Sequence, residues 1–184
     1  MKLGFIGCGV MANAMMGGII KNGLFKPEDI WGADPMEAGR QKTKEKNGIN
    51  VTGDNLEVLA NCDIVFFAIK PQYYASMIEE IKDHVREDQL FISIGAGRTL
   101  DYLADAFDHK PIKIVRVMPN TPAQIGLGMA ATCRSTCIRE CSKRFRDSDD
   151  RISVTASDRA PLRRHDIVTI MSIEKSRSGE YHVL

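Results

Sequence analysis

The sequence lacks the features that mark membrane proteins and small secreted proteins. None of its apolar runs reaches 18 residues, so we expect no transmembrane helix. Glycines interrupt the apolar start of the chain and no cleavage pattern follows, which is not typical of a signal peptide. The five cysteines are an odd number and do not suit the paired framework of a secreted domain. We therefore expect a cytoplasmic protein.

The sequence also lacks an excess of either charge. Its 184 residues include 25 basic and 24 acidic side chains, a formal net charge of +1. Binding to nucleic acid or to an anionic membrane surface usually requires a basic excess or a basic stripe. We therefore expect a small-molecule substrate, with no nucleic-acid partner and no membrane partner.

Composition changes abruptly near residue 132. Residues 1–132 contain 14 of the 15 glycines, together with ten lysines and four arginines. Residues 133–184 contain one glycine, two lysines, nine arginines and eight of the ten serines. We predict a domain over residues 1–132 and a separate, weakly ordered, Arg/Ser-rich tail over residues 133–184.

Strand and helix patterns alternate along the predicted domain. Apolar runs rich in β formers predict strands at Lys2–Ile6, Ile30–Ala33, Asp63–Ile69, Gln89–Ile94 and Ile112–Met118. Helical spacing predicts helices at Val10–Asn22, Met36–Lys46, Asn55–Ala60, Gln72–Val85 and Leu100–Phe107. The alternation predicts an α/β fold, a doubly wound and mostly parallel sheet with helices on both faces. Ligands of such sheets bind beyond the carboxyl ends of the strands.

The first predicted strand runs into a Gly-x-Gly-x-x-Ala motif, formed by Gly7, Gly9 and Ala12. In a Rossmann-type fold the first glycine permits the tight turn, and the second lets the backbone approach a pyrophosphate. The small third residue lets the helix pack close to the strand, and the helix N-terminus attracts the phosphates. A plain strand–helix turn would need the same residues, but the position between strand and helix favours a dinucleotide site.

An acidic residue, Asp34, ends the second predicted strand. In Rossmann-type folds a carboxylate at this point binds the ribose 2′-hydroxyl of NAD and repels the 2′-phosphate of NADP. Arg40 and Lys42 would soften that repulsion, but we expect them to lie well into the next helix. Asp34 also suits a simple turn before Pro35, because Asp is favoured in turns.

Three more segments end predicted strands. Lys70 is a cation at the end of a buried strand, suited to a cofactor phosphate or ribose, or simply to a surface position. Gly95–Gly97 would let the backbone pass close to a nicotinamide ring, or form an ordinary turn. Pro119 and Pro122 stiffen the loop that contains Asn120, which suits a substrate-side wall or a rigid connection.

No catalytic group is recognisable from the residues alone. His84 and His109 lie in polar surroundings and are expected to be solvated. Of Tyr73 and Tyr74, one could face the cleft, although packing in the core is the simpler expectation. A hydride transfer needs no catalytic side chain at the reacting atom, because the cofactor carries the chemistry and the protein orients it.

Four segments carry a family resemblance: GFIGCGVMANAMMGGIIKNG, DIVFFAIKPQ, SIGAG and VRVMPNTPAQIGLGM. From about Lys2 to Ala131 the chain resembles the pyrroline-5-carboxylate reductases. This resemblance implies hydride transfer from NADPH or NADH to the cyclic imine 1-pyrroline-5-carboxylate, the last step of proline biosynthesis. It assigns no catalytic residue and no metal.

The resemblance also implies a cofactor site. That site comprises Ile6, Gly7, Cys8, Gly9, Val10, Met11, Asp34, Asn55, Ala68, Ile69, Lys70, Pro71, Gly95, Ala96, Gly97 and Asn120. Many family members prefer NADPH and have a hydroxyl residue where this chain has Asp34. The choice between NADP and NAD therefore stays open.

Residues 133–184 depart from the family, whose members continue into a helical domain that dimerises and binds the imine carboxylate. A change of reading frame near codon 132 is our favoured explanation, and a divergent appendage is the alternative. The tail has three cysteines at spacings of four, but zinc sites usually need a fourth ligand, so we predict no metal site. We expect a short strand at Asp166–Ile173.

Three functions are compatible with the sequence. The first is the imine reductase of the family. The second is a non-catalytic dinucleotide-binding module, because the family's substrate and dimerisation domain is not matched. The third is a hydroxy-acid dehydrogenase of the same superfamily, which the Met118–Pro122 segment disfavours.

Overall fold

The structure, a computed structural model, describes residues 1–119, 129–134, 169–175 and 181–183. Its helices are α1 (Val10–Lys21), α2 (Glu37–Asn47), α3 (Asn55–Asn61), α4 (Tyr74–Ile81) and α5 (Leu100–Ala106). Its strands are β1 (Leu3–Ile6), β2 (Ile30–Ala33), β3 (Asn50–Thr52), β4 (Ile64–Phe67), β5 (Leu90–Ser93), β6 (Lys113–Pro119), β7 (Met129–Arg134), β8 (Thr169–Lys175) and β9 (Tyr181–Val183). Short 3₁₀ helices occupy Pro27–Asp29 and Pro71–Tyr73.

The strands form one sheet in the order β3-β2-β1-β4-β5-β6-β7-β8-β9. From β3 to β6 all neighbouring strands are parallel. The order 3-2-1-4-5-6 is that of the Rossmann fold. Strands β7, β8 and β9 extend the sheet in antiparallel orientation. The predicted α/β fold is therefore confirmed.

The parallel part of the sheet is buried on both faces, because successive side chains of each strand point into two different cores. On β4, Phe66 joins a core that includes Met16 of α1. Phe67 points to the opposite face, where its ring stacks on Phe91 and Phe107 with centroid distances of 5.3 and 6.1 Å. Burying each such ring contributes roughly 2 kcal/mol through exclusion of water.

Two glycines let other elements lie close to the central strands. A Cβ atom on Gly4 would lie 2.5 Å from Cγ1 of Val58, so α3 packs on β1 at a distance that a side chain would prevent. A Cβ atom on Gly32 would lie 2.8 Å from the Cys8 sulfur. The Cys8 thiol therefore fills the space over β2 that Gly32 leaves.

Local sequence signals set several helix ends. The Asp54 side chain caps α3 by accepting a hydrogen bond from the Leu56 N–H. Thr99 caps α5 by accepting one from the Tyr102 N–H. Gly48 adopts a left-handed conformation, with φ of 69°, and ends α2.

Two parts of the domain differ from the sequence prediction. Strand β3 is not predicted, because three residues at a sheet edge are too few to show an alternating pattern. The helix predicted at Gln72–Val85 is too long, since α4 begins only after the 3₁₀ helix Pro71–Tyr73 and ends at Ile81. Beyond it the buried Gln89 side chain donates to the Leu59 carbonyl and holds the turn before β5.

The described residues beyond 132 belong to strands. Strand β7 spans the predicted domain boundary, and β8 pairs with it. The strand predicted at Asp166–Ile173 overlaps β8, while residues 166–168 lie outside the described residues. The division at residue 132 and the weak order of the tail stay predictions.

A buried thiol makes stability depend on alkaline pH. Burial, reinforced by the Asp63 carboxylate, raises the pKa of Cys62 from 9.0 to about 12. Between these values the unfolded chain releases a proton that the native chain keeps, so the free energy of unfolding falls as the pH rises from 9 towards 12. Well below pH 9 the thiol is protonated in both states, and its titration no longer changes the free energy of unfolding.

Urea unfolding at pH 8 and pH 10 measures that loss. We expect the wild-type chain to lose more stability over this interval than Cys62→Ala, because the variant lacks the titrating thiol. Equal losses in the two proteins would show that Cys62 does not keep its proton in the native state.

Candidate functional site

The parallel strands bring the predicted site residues to one edge of the sheet. In the register, Ile6 at the end of β1 lies opposite both Ala33 of β2 and Phe67 of β4, and Phe67 lies opposite Ser93 of β5. All four strands therefore end at the same level. The segments that follow them are Gly7–Ala12, Asp34, Ala68–Pro71 and Gly95–Gly97.

Gly7 makes the turn that leads out of β1. Its φ is +100°, a conformation that L side chains rarely adopt. A Cβ atom here would also lie 2.6 Å from the Ala68 carbonyl oxygen. The Gly7 N–H donates to the Ala33 carbonyl at 2.7 Å, so the turn is bonded to β2 while it passes close to the chain leaving β4. Only glycine fits this position.

Gly9 opens the space in front of α1. A Cβ atom on Gly9 would have no neighbour within 4 Å. Gly9 is also the N-cap of α1, a fully described helix that has no side-chain cap and no acidic residue in its first turn. Its first N–H groups and the helix dipole therefore face an open space, an arrangement that suits a phosphate group. Ala12 is buried against the core, as the motif predicts.

Asp34 holds the glycine-rich turn and its own turn together. One carboxylate oxygen, Oδ2, accepts from the Cys8 N–H at 3.0 Å, and Oδ1 accepts from the Met36 N–H at 2.9 Å. The second bond is the one expected of a turn residue. The first bond places the carboxylate beside the glycine-rich turn, where Rossmann-type folds bind the ribose.

Arg40 lies closer to this position than the sequence suggests. Although it belongs to α2, its Nη1 donates to the Asp34 and Pro35 carbonyls at 2.8 and 3.1 Å. Arg40 therefore lies within α2, as expected, but its guanidinium lies at the end of β2. Its long side chain reaches back over one helical turn, which sequence position alone does not reveal. Lys42 is exposed on α2.

Cys8 has a packing role in the turn. It is 6% exposed, and burial followed by the Asp34 carboxylate raises the pKa of its thiol to about 12. A thiol with such a pKa stays protonated at neutral pH and is a poor nucleophile. Its neighbour Ile6 is also buried, at 2% exposed, so both residues offer a ligand only their backbone.

A second pair of loops is joined by residues that the sequence analysis did not single out for the site. The Arg98 guanidinium donates from Nε and Nη2 to the Pro71 carbonyl, at 3.1 and 2.7 Å, and stacks 4.6 Å from the centroid of the Tyr102 ring. The loop after β5 is thereby fastened to the loop after β4. An arginine directly after Gly95–Gly97 is the signal that could have indicated this contact.

The Tyr74 side chain links β4 and β5, the two strands that precede these loops. Its hydroxyl donates to the Phe67 carbonyl at 2.9 Å and lies 3.0 Å from the Ser93 hydroxyl. Burial raises the pKa of Tyr74, so its hydroxyl stays protonated. A Cβ atom on Gly95 would lie 2.5 Å from this ring. Of the two tyrosines, Tyr74 therefore packs in the core and Tyr73, 55% exposed, faces outward.

The remaining predicted residues are placed differently. Lys70 is exposed at the end of β4, on the same edge as the glycine-rich turn. Asn55 begins α3, and its side-chain amide donates to Oε2 of Glu80 at 2.9 Å. Asn120 lies outside the described residues. The strand before it, β6, ends at the same edge of the sheet, since β6 runs parallel to β5.

Exposed apolar side chains also gather at this edge. Val10, Met36 and Tyr73 are 71%, 69% and 55% exposed, and each lies just beyond the carboxyl end of a parallel strand. Met118, 37% exposed, lies near the end of β6. Apolar residues left open to solvent around a polar turn are typical of a ligand cleft.

Two kinds of feature are absent from the described residues. No three histidine, cysteine or acidic side chains among them lie close enough together to hold a metal ion. No helix in the same part of the chain is both long and apolar enough to cross a membrane.

Comparison with known proteins agrees with this geometry. Residues 2–97 match the family described as NADP oxidoreductase, coenzyme F420-dependent. The pyrroline-5-carboxylate reductase of Escherichia coli is 42% identical over 130 residues, which are 71% of this chain and 48% of that protein. The chain thus spans about half the length of the curated relatives it matches.

Solved structures give the same result. A pyrroline-5-carboxylate reductase from Coxiella burnetii superimposes with a TM-score of 0.72 at 31% identity, covering 79% of this chain and 54% of that one. The Plasmodium falciparum pyrroline carboxylate reductase, solved with NADP bound, has a TM-score of 0.68 at 31% identity, covering 79% and 52%. Because the family match takes in just over half of the residues, the chain belongs to this family of NADP oxidoreductases, and pyrroline-5-carboxylate reductases are its relatives in both sequence and structure.

Proposed function

We propose that the chain binds NADPH or NADH at the carboxyl edge of its parallel sheet and uses it to reduce 1-pyrroline-5-carboxylate to L-proline. The observation that carries the proposal is the turn at Gly7–Ala12, with its open face at Gly9 in front of the α1 N-terminus. The substrate is supported by the relatives, which are named pyrroline-5-carboxylate reductases.

The residues around the turn fit a dinucleotide. The α1 N-terminus would take the pyrophosphate and Asp34 the adenosine ribose. Lys70 and the two loops joined by Arg98 would lie along the nicotinamide half. When bound, the reduced cofactor supplies a hydride to the carbon of the C=N bond, and the imine nitrogen takes up a proton. The chain's own residues bind the cofactor and orient it.

The substitution Gly9→Ala tests the dinucleotide site. Gly9 has φ of −70° and ψ of −176°, which alanine adopts freely, so the fold should be unaffected. Its new methyl group would occupy the space proposed for the pyrophosphate. We expect the Kd for NADPH or NADH, measured by calorimetry, to rise roughly tenfold or more.

Gly18→Ala is the matched control, because a Cβ atom there also meets nothing within 4 Å but lies at the other end of α1. It should leave the Kd unchanged. Equal affinities of wild type and Gly9→Ala would show that the pyrophosphate does not bind at this position.

Turnover separates the reductase from a module that only binds the cofactor. We expect the absorbance of the reduced nicotinamide, at about 340 nm, to fall when 1-pyrroline-5-carboxylate is added to the chain together with NADPH or NADH. Binding of the cofactor without its oxidation would exclude the reductase and leave the binding module. Binding of neither dinucleotide would exclude both.

Asp34 and Arg40 should set the choice between the two cofactors in opposite directions. A carboxylate at this position repels a 2′-phosphate, whereas a nearby arginine accommodates one. We expect Asp34→Asn to raise the affinity for NADPH relative to NADH and Arg40→Gln to lower it, each by about threefold to tenfold. The ratio of the two Kd values is the measurement, because a general disturbance of the turn cancels in it.

A ratio that stays constant in both variants would show that the 2′-position of the ribose lies elsewhere. A shift in the same direction for Asp34→Asn and Arg40→Gln would have the same meaning, since the two side chains carry opposite charges.

We also propose a cytoplasmic location, in keeping with the odd number of cysteines and with Cys8 and Cys62, which are free thiols in the structure. Disulfide bonds are rare in that reducing compartment. The proposed substrate leaves no role for nucleic acid or for a membrane.

The division at residue 132 is likewise a proposal, supported by the change from lysine to arginine and serine beyond it. Sequencing the gene across codon 132 and translating each forward frame tests its proposed cause. We expect another frame to continue with a glycine- and alanine-rich helical sequence like that of the family. If no frame does, the tail is a divergent appendage.

A further inference from the structure

We propose that Asn13, Thr43 and Asn47 are positioning residues that hold the glycine-rich turn in its cofactor-binding conformation before the cofactor arrives. The proposal rests on the dinucleotide binding proposed above. None of the three residues belongs to the Gly-x-Gly-x-x-Ala motif, and two of them come from α2, which follows the next strand.

Asn13 binds the turn directly. Its side-chain amide donates to the Cys8 carbonyl at 2.7 Å and to the Gly9 carbonyl at 3.1 Å. The two carbonyls belong to successive peptide groups, Cys8–Gly9 and Gly9–Val10. The orientation of these groups decides which backbone atoms face the open space at Gly9, so Asn13 fixes the surface that a pyrophosphate would meet.

Two side chains of α2 orient Asn13. The Asn47 amide donates to Asn13 Oδ1 at 2.7 Å, and Thr43 Oγ1 accepts from Asn13 Nδ2 at 3.0 Å. Because the Cys8 and Gly9 carbonyls can only accept and the Asn47 amide donates to Oδ1, the Asn13 side chain can adopt only one of its two flipped orientations. In that orientation its two N–H groups are shared between the turn carbonyls and the Thr43 hydroxyl.

Asn13 is half-buried, but both of its partners on α2 are buried, where a hydrogen bond is hard to replace. Thr43 is fully buried and Asn47 is 9% exposed. Water does not readily take the place of a lost partner at such positions, so an unpaired amide is costly.

The backbone of Cys8 is therefore held at both its N–H and its carbonyl. Asp34 accepts from its N–H and Asn13 donates to its carbonyl. A loop that is already in its bound conformation loses less conformational freedom on binding, which strengthens affinity. A hydrogen-bond network that served only to join α1 to α2 would not need the bonds from Asn13 to the Cys8 and Gly9 carbonyls.

Thr43 offers a matched pair of variants for the test. Thr43→Val keeps the shape of the side chain but removes the acceptor for Asn13, whereas Thr43→Ser keeps the hydroxyl. We expect Thr43→Val to raise the Kd for NADPH and NADH about threefold to tenfold, and Thr43→Ser to restore nearly wild-type affinity. Both are measured by calorimetry well below the Tm of each variant.

Asn13→Ala and Asn22→Ala extend the comparison. Each removes an amide that donates to a carbonyl four residues earlier in α1, at Gly9 and at Gly18 respectively. Both should lower the Tm, but only Asn13→Ala should also raise the Kd. This split between stability and affinity distinguishes positioning of the turn from simple support of the helix.

The outcomes separate this inference from the proposed function. If the wild-type chain binds neither dinucleotide, the proposed function and the positioning role both fail. If the wild-type chain binds but Thr43→Val and Asn13→Ala bind equally well, the cofactor site stands and the positioning role is wrong. A higher Kd in Thr43→Ser as well as Thr43→Val would also exclude the role of the hydroxyl.

Discussion

The position of β1 between β2 and β4 is the constraint on which the rest of the structure depends. At the end of β1 the Gly7 N–H bonds to Ala33 of β2, and the Ala68 N–H bonds to Ile6 of β1. The backbones of these three segments are then so close that no Cβ atom fits at Gly7. From this point they must diverge, because α1 and α4 lie on opposite faces of the sheet. The divergence creates the cleft.

Each side of the cleft is braced by side chains that bind the main chain of a neighbouring loop or strand. On the side of the glycine-rich turn, Asp34 and Asn13 hold that turn by its backbone. On the other side, Arg98 and Tyr74 bind the carbonyls of Pro71 and Phe67, at the end of β4. In both cases polar side chains bind main-chain groups, and these bonds hold the loops in shape. Such bracing is what a binding site on loops needs to be selective.

The sequence predicts the fold and the edge at which the site lies, because both follow from local patterns. Buried parallel strands are continuous apolar runs, and the turn after β1 requires glycine for steric reasons that hold in any Rossmann-type fold. The helix predicted at Gln72–Val85 was too long because Met77, Ile78 and Ile81 set the apolar period, while the ends depend on turns that have no such period.

The side chains that hold these loops could not be predicted from local sequence patterns. Arg40 and Arg98 act through side chains that reach back along the chain to main-chain carbonyls, and their positions in the sequence give only a distance along a helix or a loop. Asn13 and Asn47 are 34 positions apart, and their contact depends on how α1 and α2 pack. Contacts of this kind follow from the tertiary structure and leave no periodic pattern in the sequence.

The contact between Tyr74 and Gly95 has an evolutionary consequence. A side chain at position 95 would overlap the tyrosine ring, and the hydroxyl of that ring is already bonded to β4. Neither position can therefore change alone without a clash or a loss of the bond. Among relatives we expect the two positions to covary, with a larger side chain at position 95 accompanied by a smaller one at position 74.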